Sequence, residues 1–163
     1  MYKRQGKTPL LIHLAKELVA HGYKPGIVSR GYGAKGSYPV RVTPDTEVVR
    51  SGDEPLLIAR SINVPVVVDP DRVNAVSEVL KTGSIDIVLS DDGLQHNRLG
   101  RQLEIVVIDG QRGFGNGLLL PAGPLREPSK RLSTVDVVVR HGQAPQPGES
   151  WICLLYTSPS PRD

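Results

Sequence analysis

Short, unbroken runs of aliphatic residues alternate with amphipathic segments along this chain, and no other feature constrains the fold as strongly. A strand buried on both faces has a continuous apolar sequence, and strands that alternate with helices form a parallel sheet covered on two sides. The sequence therefore predicts an α/β fold, with a mostly parallel sheet and helices on both faces. The predicted strands are residues 26–29, the short run YPVRV expected at an edge, residues 64–69, and the runs IDIVLS, LEIVVID and VDVVVR.

Three segments between these strands carry apolar residues at helical spacing. The predicted helices are residues 9–20, 53–62 and 71–81. In the third helix, the predicted inner face consists of Val73, Val76, Val79 and Leu80.

The bulk composition is that of an ordinary globular protein and excludes several functions. A length of 163 residues suits one domain with a real core rather than two. The net charge of +3 suits a phosphorylated ligand or an anionic surface, and because basic residues are not interleaved with aromatic ones, no nucleic-acid partner is expected. The single cysteine, Cys153, excludes an internal disulfide. No apolar stretch is long enough to span a bilayer, so a soluble or peripheral protein is predicted.

The two ends of the chain differ in character from the segment between them. Residues 1–5 are polar and run into the first helix without an element of their own, and residues 156–163 form a Ser/Pro-rich tail without periodicity. We interpret both ends as non-native sequence, so the predicted domain is residues 6–155, incomplete at both ends. A natural disordered tail is the alternative at the C-terminus.

Polar residues directly follow several of the predicted strands. A parallel α/β sheet binds its ligands beyond the carboxyl ends of its strands. The residues at those ends are therefore candidate functional residues, and we expect them to cluster. They are Ser29 and Arg30, Asp69, Asp91 and Asp92, and Asp109.

The tetrapeptide GKTP, residues 6–9, opens the first predicted helix. Gly-Lys-Thr at a helix N-terminus is the closing half of a phosphate-binding loop, in which backbone N–H groups hold phosphate. Lys7 would reach the β- and γ-phosphates of a nucleotide, and Thr8 would bind Mg²⁺ through its hydroxyl. The first glycine of the full pattern is absent, since Met1 stands there. An ordinary helix start is therefore the alternative.

Asp91 and Asp92 end an aliphatic strand, as the metal-binding carboxylates of a Walker B strand do. Two adjacent carboxylates repel each other unless a cation relieves the conflict, and Mg²⁺ accepts oxygen ligands from both carboxylates and phosphates. We favour this metal site over the alternative, a polar turn that bends at Asp92 and Gly93. His96, close by, would be a partner of the metal carboxylates.

The sequence GDEP, residues 52–55, precedes the second predicted helix and has two interpretations. Asp53 would cap the helix while Glu54 favours its dipole. Alternatively, Asp53 is a base that accepts a proton from a substrate hydroxyl.

A long segment rich in glycine and proline, residues 109–128, is predicted to be an irregular loop. Long irregular loops in compact domains are usually functional. Arg112 and Arg126 would contact phosphate there, or else lie solvated at the surface. The apolar run LLLPAG within the loop would receive an apolar substrate.

Five motifs occur in order within residues 6–140: GKTP, SRGYG, GDEP, SDDGLQH and VIDGQRGFGNGLLLPAGPLREP. Together they closely resemble those of the tetraacyldisaccharide 4′-kinases, the lipid A kinases of Gram-negative bacteria. The resemblance implies a P-loop NTPase-like fold and a kinase that uses ATP and Mg²⁺ to phosphorylate the 4′-hydroxyl of a lipid A disaccharide 1-phosphate precursor. It also implies a peripheral protein at the cytoplasmic face of the inner membrane, and it names no protein partner.

The resemblance also implies roles for individual residues. The matching positions are Gly6, Lys7 and Thr8 for ATP; Thr8, Asp91 and Asp92 for the metal, with Gln95 and His96 beside them; and Asp53, Glu54 and Arg126 for catalysis. Three features of the family do not match: the glycines before Gly6, an N-terminal membrane-associating segment, and a second lobe beyond Arg140. We therefore expect the 163-residue chain itself to be inactive or nearly so.

Two other functions remain open at this point. One is a P-loop kinase or ligase that acts on a soluble metabolite, against which the apolar loop argues mildly. The other is a nucleotide-binding switch or ATPase module without a small-molecule acceptor, in which GDEP is only a helix cap.

Overall fold

The computed structural model describes residues 6–94, 96, 98–142 and 150–151. The chain divides into two compact units: Lys7–Gly100, called the first unit below, and Met1–Gly6 together with Arg101–Asp163, called the second unit. The ends interpreted as non-native, residues 1–5 and 156–163, lie outside the described residues, so that interpretation stays a prediction.

The first unit is built on a four-stranded sheet with the strand order β2-β3-β1-β4. Strand β1 is parallel to both β3 and β4, whereas β2 pairs antiparallel with β3 and lies at the edge, as expected for the short strand. Its elements in chain order are α1 Lys7–Ala20, β1 Pro25–Ser29, β2 Val40–Val42, α2 Val48–Ser51, α3 Asp53–Ser61, β3 Val66–Val68, α4 Arg72–Leu80 and β4 Ile87–Ser90.

Helices cover both faces of this sheet. Successive side chains of β1 and β3 point to opposite sides, so both strands contribute apolar residues to each face. On one face, Ile27, Val66 and Val68 pack in a cluster with Ala15 of α1 and with Leu56, Ile58 and Ala59 of α3. On the other face, Val28 and Val67 pack against Ala75 and Val79 of α4. The predicted α/β architecture is therefore confirmed.

The predicted inner face of α4 is partly wrong. Val73 and Leu80 are 39% and 49% exposed, although Val79 is fully buried and Val76 packs against the core. The buried residues of the helix are Arg72, Ala75 and Val79. Together with Val76, these residues form one stripe at positions i, i+3, i+4 and i+7. The stripe begins at Arg72, and a prediction based on apolar residues does not include an arginine in the inner face.

The second unit contains a three-stranded parallel sheet with the order β5-β6-β7. Its elements are β5 Ile105–Asp109, a 3₁₀ helix Ser129–Thr134, β6 Val137–His141 and β7 Ser150–Trp151. Between Gly110 and Pro128 the chain forms turns with a single isolated bridge from Leu119 to Leu125, so the predicted long loop is confirmed. Among the described helices of both units, none combines the length and the apolar character needed to cross a membrane.

Candidate functional site

Helix α1 begins at Lys7, directly after Gly6, so GKTP forms the start of a helix as predicted. The first turn contains no acidic residue, and the exposed backbone N–H groups of a helix start favour an anion. Lys7, Thr8 and Pro9 are all half-buried there. This helix start has the local features that a phosphate group requires.

Lys7 and Asp92 form an ion pair between the lysine Nζ and the carboxylate Oδ1. The two residues are 85 positions apart in the sequence. The fold of the first unit therefore brings the start of α1 and the acidic turn after β4 to one place. A partly exposed ion pair adds little to stability by itself, so its significance lies in the juxtaposition.

Asp91 is buried at the carboxyl end of β4, with 5% of its surface exposed. Its backbone N–H donates to the carbonyl of Val28, and the hydroxyl of Ser29 donates to its Oδ2 over 3.3 Å. Burial, followed by repulsion from Asp92, raises the pKa of Asp91 above the ordinary range of a carboxyl group. A bound cation beside this carboxylate would favour its charged form and so oppose both causes of the shift.

Asp92 adopts a left-handed backbone conformation with φ = 53°, the only non-glycine residue to do so among those described. Asp tolerates this region better than most residues, but it is still unfavourable and is seen mainly at turns and functional sites. This conformation ends the regular alternation of side chains between the two faces of the sheet immediately after Asp91. Asp92 can therefore meet Lys7 while Asp91 meets Ser29.

Replacing Asp91 by asparagine is expected to raise the free energy of unfolding at neutral pH. Because the pKa of Asp91 is raised, the folded state binds more protons than the unfolded state between the two pKa values, so stability falls as pH rises through this interval. Asparagine carries no charge, avoids that loss, and keeps an oxygen that can accept from Ser29. Urea unfolding from pH 4 to pH 7 without divalent cations would measure an advantage that grows with pH.

The exposed Asp45 supplies the matched control for this change. Its replacement by asparagine should alter the free energy of unfolding by less than about 0.5 kcal/mol. An Asp91→Asn variant less stable than the wild type at pH 7 would contradict the expectation.

Three of the strand-end residues cluster in the first unit as predicted. Ser29 contacts the carboxylate of Asp91, and the backbone N–H of Asp69 donates to the carbonyl of Ser29 over 3.1 Å. Asp109 belongs to the second unit, where its Oδ1 accepts the backbone N–H groups of Gln111 and Arg112. Its membership of the cluster stays a prediction.

Asp53 is not the N-cap residue of helix α3, so the capping part of the GDEP interpretation is wrong, whereas Asp53 and Glu54 do lie in the first turn, where the helix dipole favours them. The cap residue is Gly52, which has φ = 82° and therefore occupies the position by backbone conformation rather than by a side-chain hydrogen bond. A side chain at Gly52 would meet the carbonyl oxygen of Tyr32 at 3.0 Å, so the SRGYG and GDEP segments pack closely. Asp53 is exposed in the first turn, next to the half-buried Glu54, and its role as a base stays a prediction.

Three further predicted site residues are His96, Gln95 and Arg126. His96 is half-buried, and its pKa is lowered by burial and then by the charges of Arg72 and Arg30. Gln95 lies outside the described residues. Arg126 is exposed in the second unit, after the bridge residue Leu125. The roles of these three residues therefore stay predictions.

Arg72 was not recognised as a functional candidate from the sequence. It is the first residue of α4, is 2% exposed, and donates to the carbonyl oxygens of Asp69 and Asp91. The only available signal was its position in the buried stripe of α4, where an apolar residue is expected.

The residues present fit Mg²⁺ with a nucleotide. Among the described residues no group of three or more His, Cys, Asp and Glu side chains could hold a metal. Mg²⁺ needs no such cage, because it is commonly held by one or two carboxylates together with phosphates and water. Ser90 Oγ, next to the acidic turn, is buried and has no hydrogen-bond partner among the described residues, and a buried donor of this kind suits a polar ligand.

The chain has clear similarity to one family of kinases. The family model "Tetraacyldisaccharide-1-P 4'-kinase" matches residues 4–155. A tetraacyldisaccharide 4'-kinase from Pasteurella multocida is 55% identical over 141 residues, covering 85% of this chain and 43% of the relative. A second, from Aeromonas hydrophila, is 51% identical over 155 residues, covering 94% of this chain and 46% of the relative.

A solved structure supports the same assignment. It is the crystal structure of the "apo" form of LpxK from Aquifex aeolicus in complex with ATP, with a TM-score of 0.74 and 32% identity, covering 85% of this chain and 44% of that one. The predicted P-loop NTPase-like fold is thereby confirmed. The chain spans less than half the length of these relatives. Because the family model covers most of its residues, the chain belongs to the tetraacyldisaccharide-1-P 4'-kinase family.

Proposed function

We propose that this chain forms the nucleotide- and metal-binding part of a kinase that phosphorylates the 4′-hydroxyl of a lipid A disaccharide 1-phosphate precursor with ATP. The observation that carries the proposal is the ion pair between Lys7 and Asp92, which joins the start of α1 to the acidic turn after β4. A P-loop kinase needs its lysine and its metal carboxylates within reach of one triphosphate. Membership of the kinase family supports the same function.

The proposed ATP site uses Gly6, Lys7 and Thr8. The backbone N–H groups at the start of α1 would donate to phosphate oxygens, and Lys7 would exchange its contact with Asp92 for one with phosphate. Thr8, Asp91 and Asp92 would hold Mg²⁺, with Gln95 and His96 beside them. When bound, Mg²⁺ supplies positive charge that offsets the charge of the phosphate oxygens.

The proposed catalytic residues are Asp53, Glu54 and Arg126. Asp53, exposed in the first turn of α3, would accept the proton of the attacking hydroxyl. Glu54 would supply a second carboxylate beside Asp53, and Arg126 would bind a phosphate group of the substrate. Positioning and charge supply most of the rate enhancement in phosphate transfer.

A lipid substrate is favoured over a soluble one by the loop that follows β5. Leu118, Leu119 and Leu120 are 52%, 44% and 60% exposed in succession. A run of exposed leucines is unusual on a surface that meets only water and suits contact with acyl chains. On this basis we propose peripheral association with a membrane surface, and from the family resemblance we propose that this surface is the cytoplasmic face of the inner membrane.

Replacing Asp53 by asparagine tests the proposed base. Because Gly52 is the helix cap, asparagine should leave α3 intact, while phosphate transfer should fall about 10² to 10⁴-fold through loss of the proton acceptor. Transfer would be measured in a chimera in which this segment replaces its counterpart in the full-length P. multocida relative. Binding of ATP should not change.

Asp45→Asn is the matched control, since Asp45 is also exposed but lies in a turn before α2. It should leave transfer within about twofold, as expected for a surface substitution. Transfer unaffected by Asp53→Asn would exclude Asp53 as the base. ATP hydrolysis by the chimera without any transfer to the lipid would instead favour a nucleotide switch.

A further inference from the structure

Arg72 is a buried cation at the carboxyl edge of the first unit's sheet. It follows the helix cap Asp71, whose side chain accepts the backbone N–H of Val73, and it is 2% exposed. Arginine is rarely buried to this extent unless it is paired or bonded to specific acceptors. Its surroundings therefore indicate what it holds.

The guanidinium group of Arg72 connects two strands that are not neighbours. Nη1 donates to the carbonyl oxygen of Asp69, just after β3, and Nη2 donates to that of Asp91, just after β4, each over 3.0 Å. Strand β1 lies between β3 and β4 in the sheet. The planar fork of arginine can reach two such acceptors at once, whereas the single ammonium of lysine cannot hold them in the same geometry.

One of the two anchor points is itself rigidly held. The Asp69 carboxylate accepts the backbone N–H of Asp71 over 2.7 Å and the side-chain amide of Asn74 over 2.6 Å. The other anchor, Asp91, immediately precedes Asp92 with its left-handed backbone. Arg72 therefore connects a fixed turn to a strained one.

The placement of Arg72 is unfavourable in other respects. Within the part of the chain that the structure describes, its Nε is buried without a hydrogen-bond partner, and burial lowers the pKa of the guanidinium. An apolar side chain of similar size would avoid both penalties, but it would leave the carbonyl oxygens of Asp69 and Asp91 without these donors. A penalty retained at the edge of the proposed site indicates a role that an apolar residue cannot perform.

We propose that Arg72 is a positioning residue that fixes the Asp91–Asp92 turn in the conformation that meets the start of α1. It acts on the backbone of the metal carboxylates and does not itself touch the nucleotide. The effect of Arg72 on the turn is inferred from the hydrogen bonds alone, whereas its consequence for ligand binding rests on the proposed function.

The test uses Arg72→Lys and Arg72→Met in the 163-residue chain, with Arg41→Lys and Arg41→Met as matched controls. Arg41 is exposed on β2 and pairs with Glu78 of α4, so its variants also remove an arginine contact to that helix. Hydrogen–deuterium exchange of a peptide spanning residues 88–94 is compared with one from α1. Both Arg72 variants should accelerate exchange at residues 91–93 by about tenfold, with little change in α1.

Binding of ATP, with and without Mg²⁺, provides the second readout. Both Arg72 variants should weaken binding of the Mg²⁺ complex by about tenfold and leave binding of metal-free ATP unchanged, because only the carboxylates have lost their support. The Arg41 variants should match the wild type in both measurements. If Arg72 contributed only to overall stability, its variants would change the binding of ATP with Mg²⁺ and of metal-free ATP to the same extent.

Two results would overturn the proposal. One is wild-type exchange and binding in Arg72→Lys, which would mean that charge alone is sufficient. The other is exchange that accelerates equally in α1 and in residues 88–94, which would mean a loss of overall stability. Failure of the wild-type chain to bind Mg²⁺ and ATP would overturn the proposed nucleotide site. Hydrogen–deuterium exchange would then test only whether Arg72 fixes the Asp91–Asp92 turn.

Discussion

Replacement of Lys7 by methionine is expected to weaken binding of Mg²⁺ and ATP to the chain by about a hundredfold, the loss of a strong charge-assisted contact to phosphate. Methionine keeps an unbranched side chain with good helix propensity, so α1 should persist from its first residue. What is lost is the ammonium group, which pairs with the carboxylate of Asp92. Isothermal titration calorimetry with ATP and Mg²⁺ measures the effect.

The matched control is Lys16→Met, which removes the same charge from an exposed position of the same helix. Its affinity should stay within about twofold of the wild type, because a charge more than a Debye length from the phosphates is largely screened. If Lys7→Met and Lys16→Met bind equally well, Lys7 serves only as the partner of Asp92 and the helix start is not a phosphate site. That outcome would remove the basis of the proposed kinase mechanism.

The second large effect is expected at Gly31, in the SRGYG segment. Replacement by alanine should lower the free energy of unfolding by about 3 kcal/mol or more, since it combines overpacking with backbone strain. The new Cβ would lie 2.2 Å from Cγ1 of Val68 and 3.2 Å from the carbonyl oxygen of Ser51. Val68 is fully buried in β3 and cannot move aside. Urea unfolding measures the change.

Gly33→Ala separates the two contributions. Gly33 has φ = 82°, close to the 68° of Gly31, but no atom of the described residues lies within 4 Å of a Cβ at that position. Only the backbone penalty applies there, about 1 to 2 kcal/mol. Equal losses for the two variants would mean that the core of the first unit relaxes around the added methyl group.

Strands β1 to β6 were predictable because each lies in a compact apolar run, and helices α1, α3 and α4 because their apolar residues repeat at helical spacing. Helix α1 begins only two residues before its predicted start at Pro9. The elements that the sequence does not reveal are short: α2 has four residues and β7 has two, so neither is long enough to display a period.

The candidate site was predictable wherever a motif specifies the chemistry. Gly-Lys-Thr and the paired aspartates each indicate a role, and their convergence follows from the rule that ligands bind at the carboxyl ends of parallel strands. The capping role expected for Asp53 failed, because the left-handed conformation of Gly52 already provides the helix start. Arg72 was missed, because its bonds go to backbone carbonyls that no sequence pattern specifies.

The left-handed backbone of Asp92 restricts which substitutions this position can accept. Glycine and asparagine are the residues that adopt such a conformation most readily, and neither carries a negative charge. Glutamate retains the charge but has a longer side chain and lower tolerance of that region of backbone space. The left-handed backbone and the negative charge thus favour different sets of amino acids. Aspartate is the residue that meets both requirements.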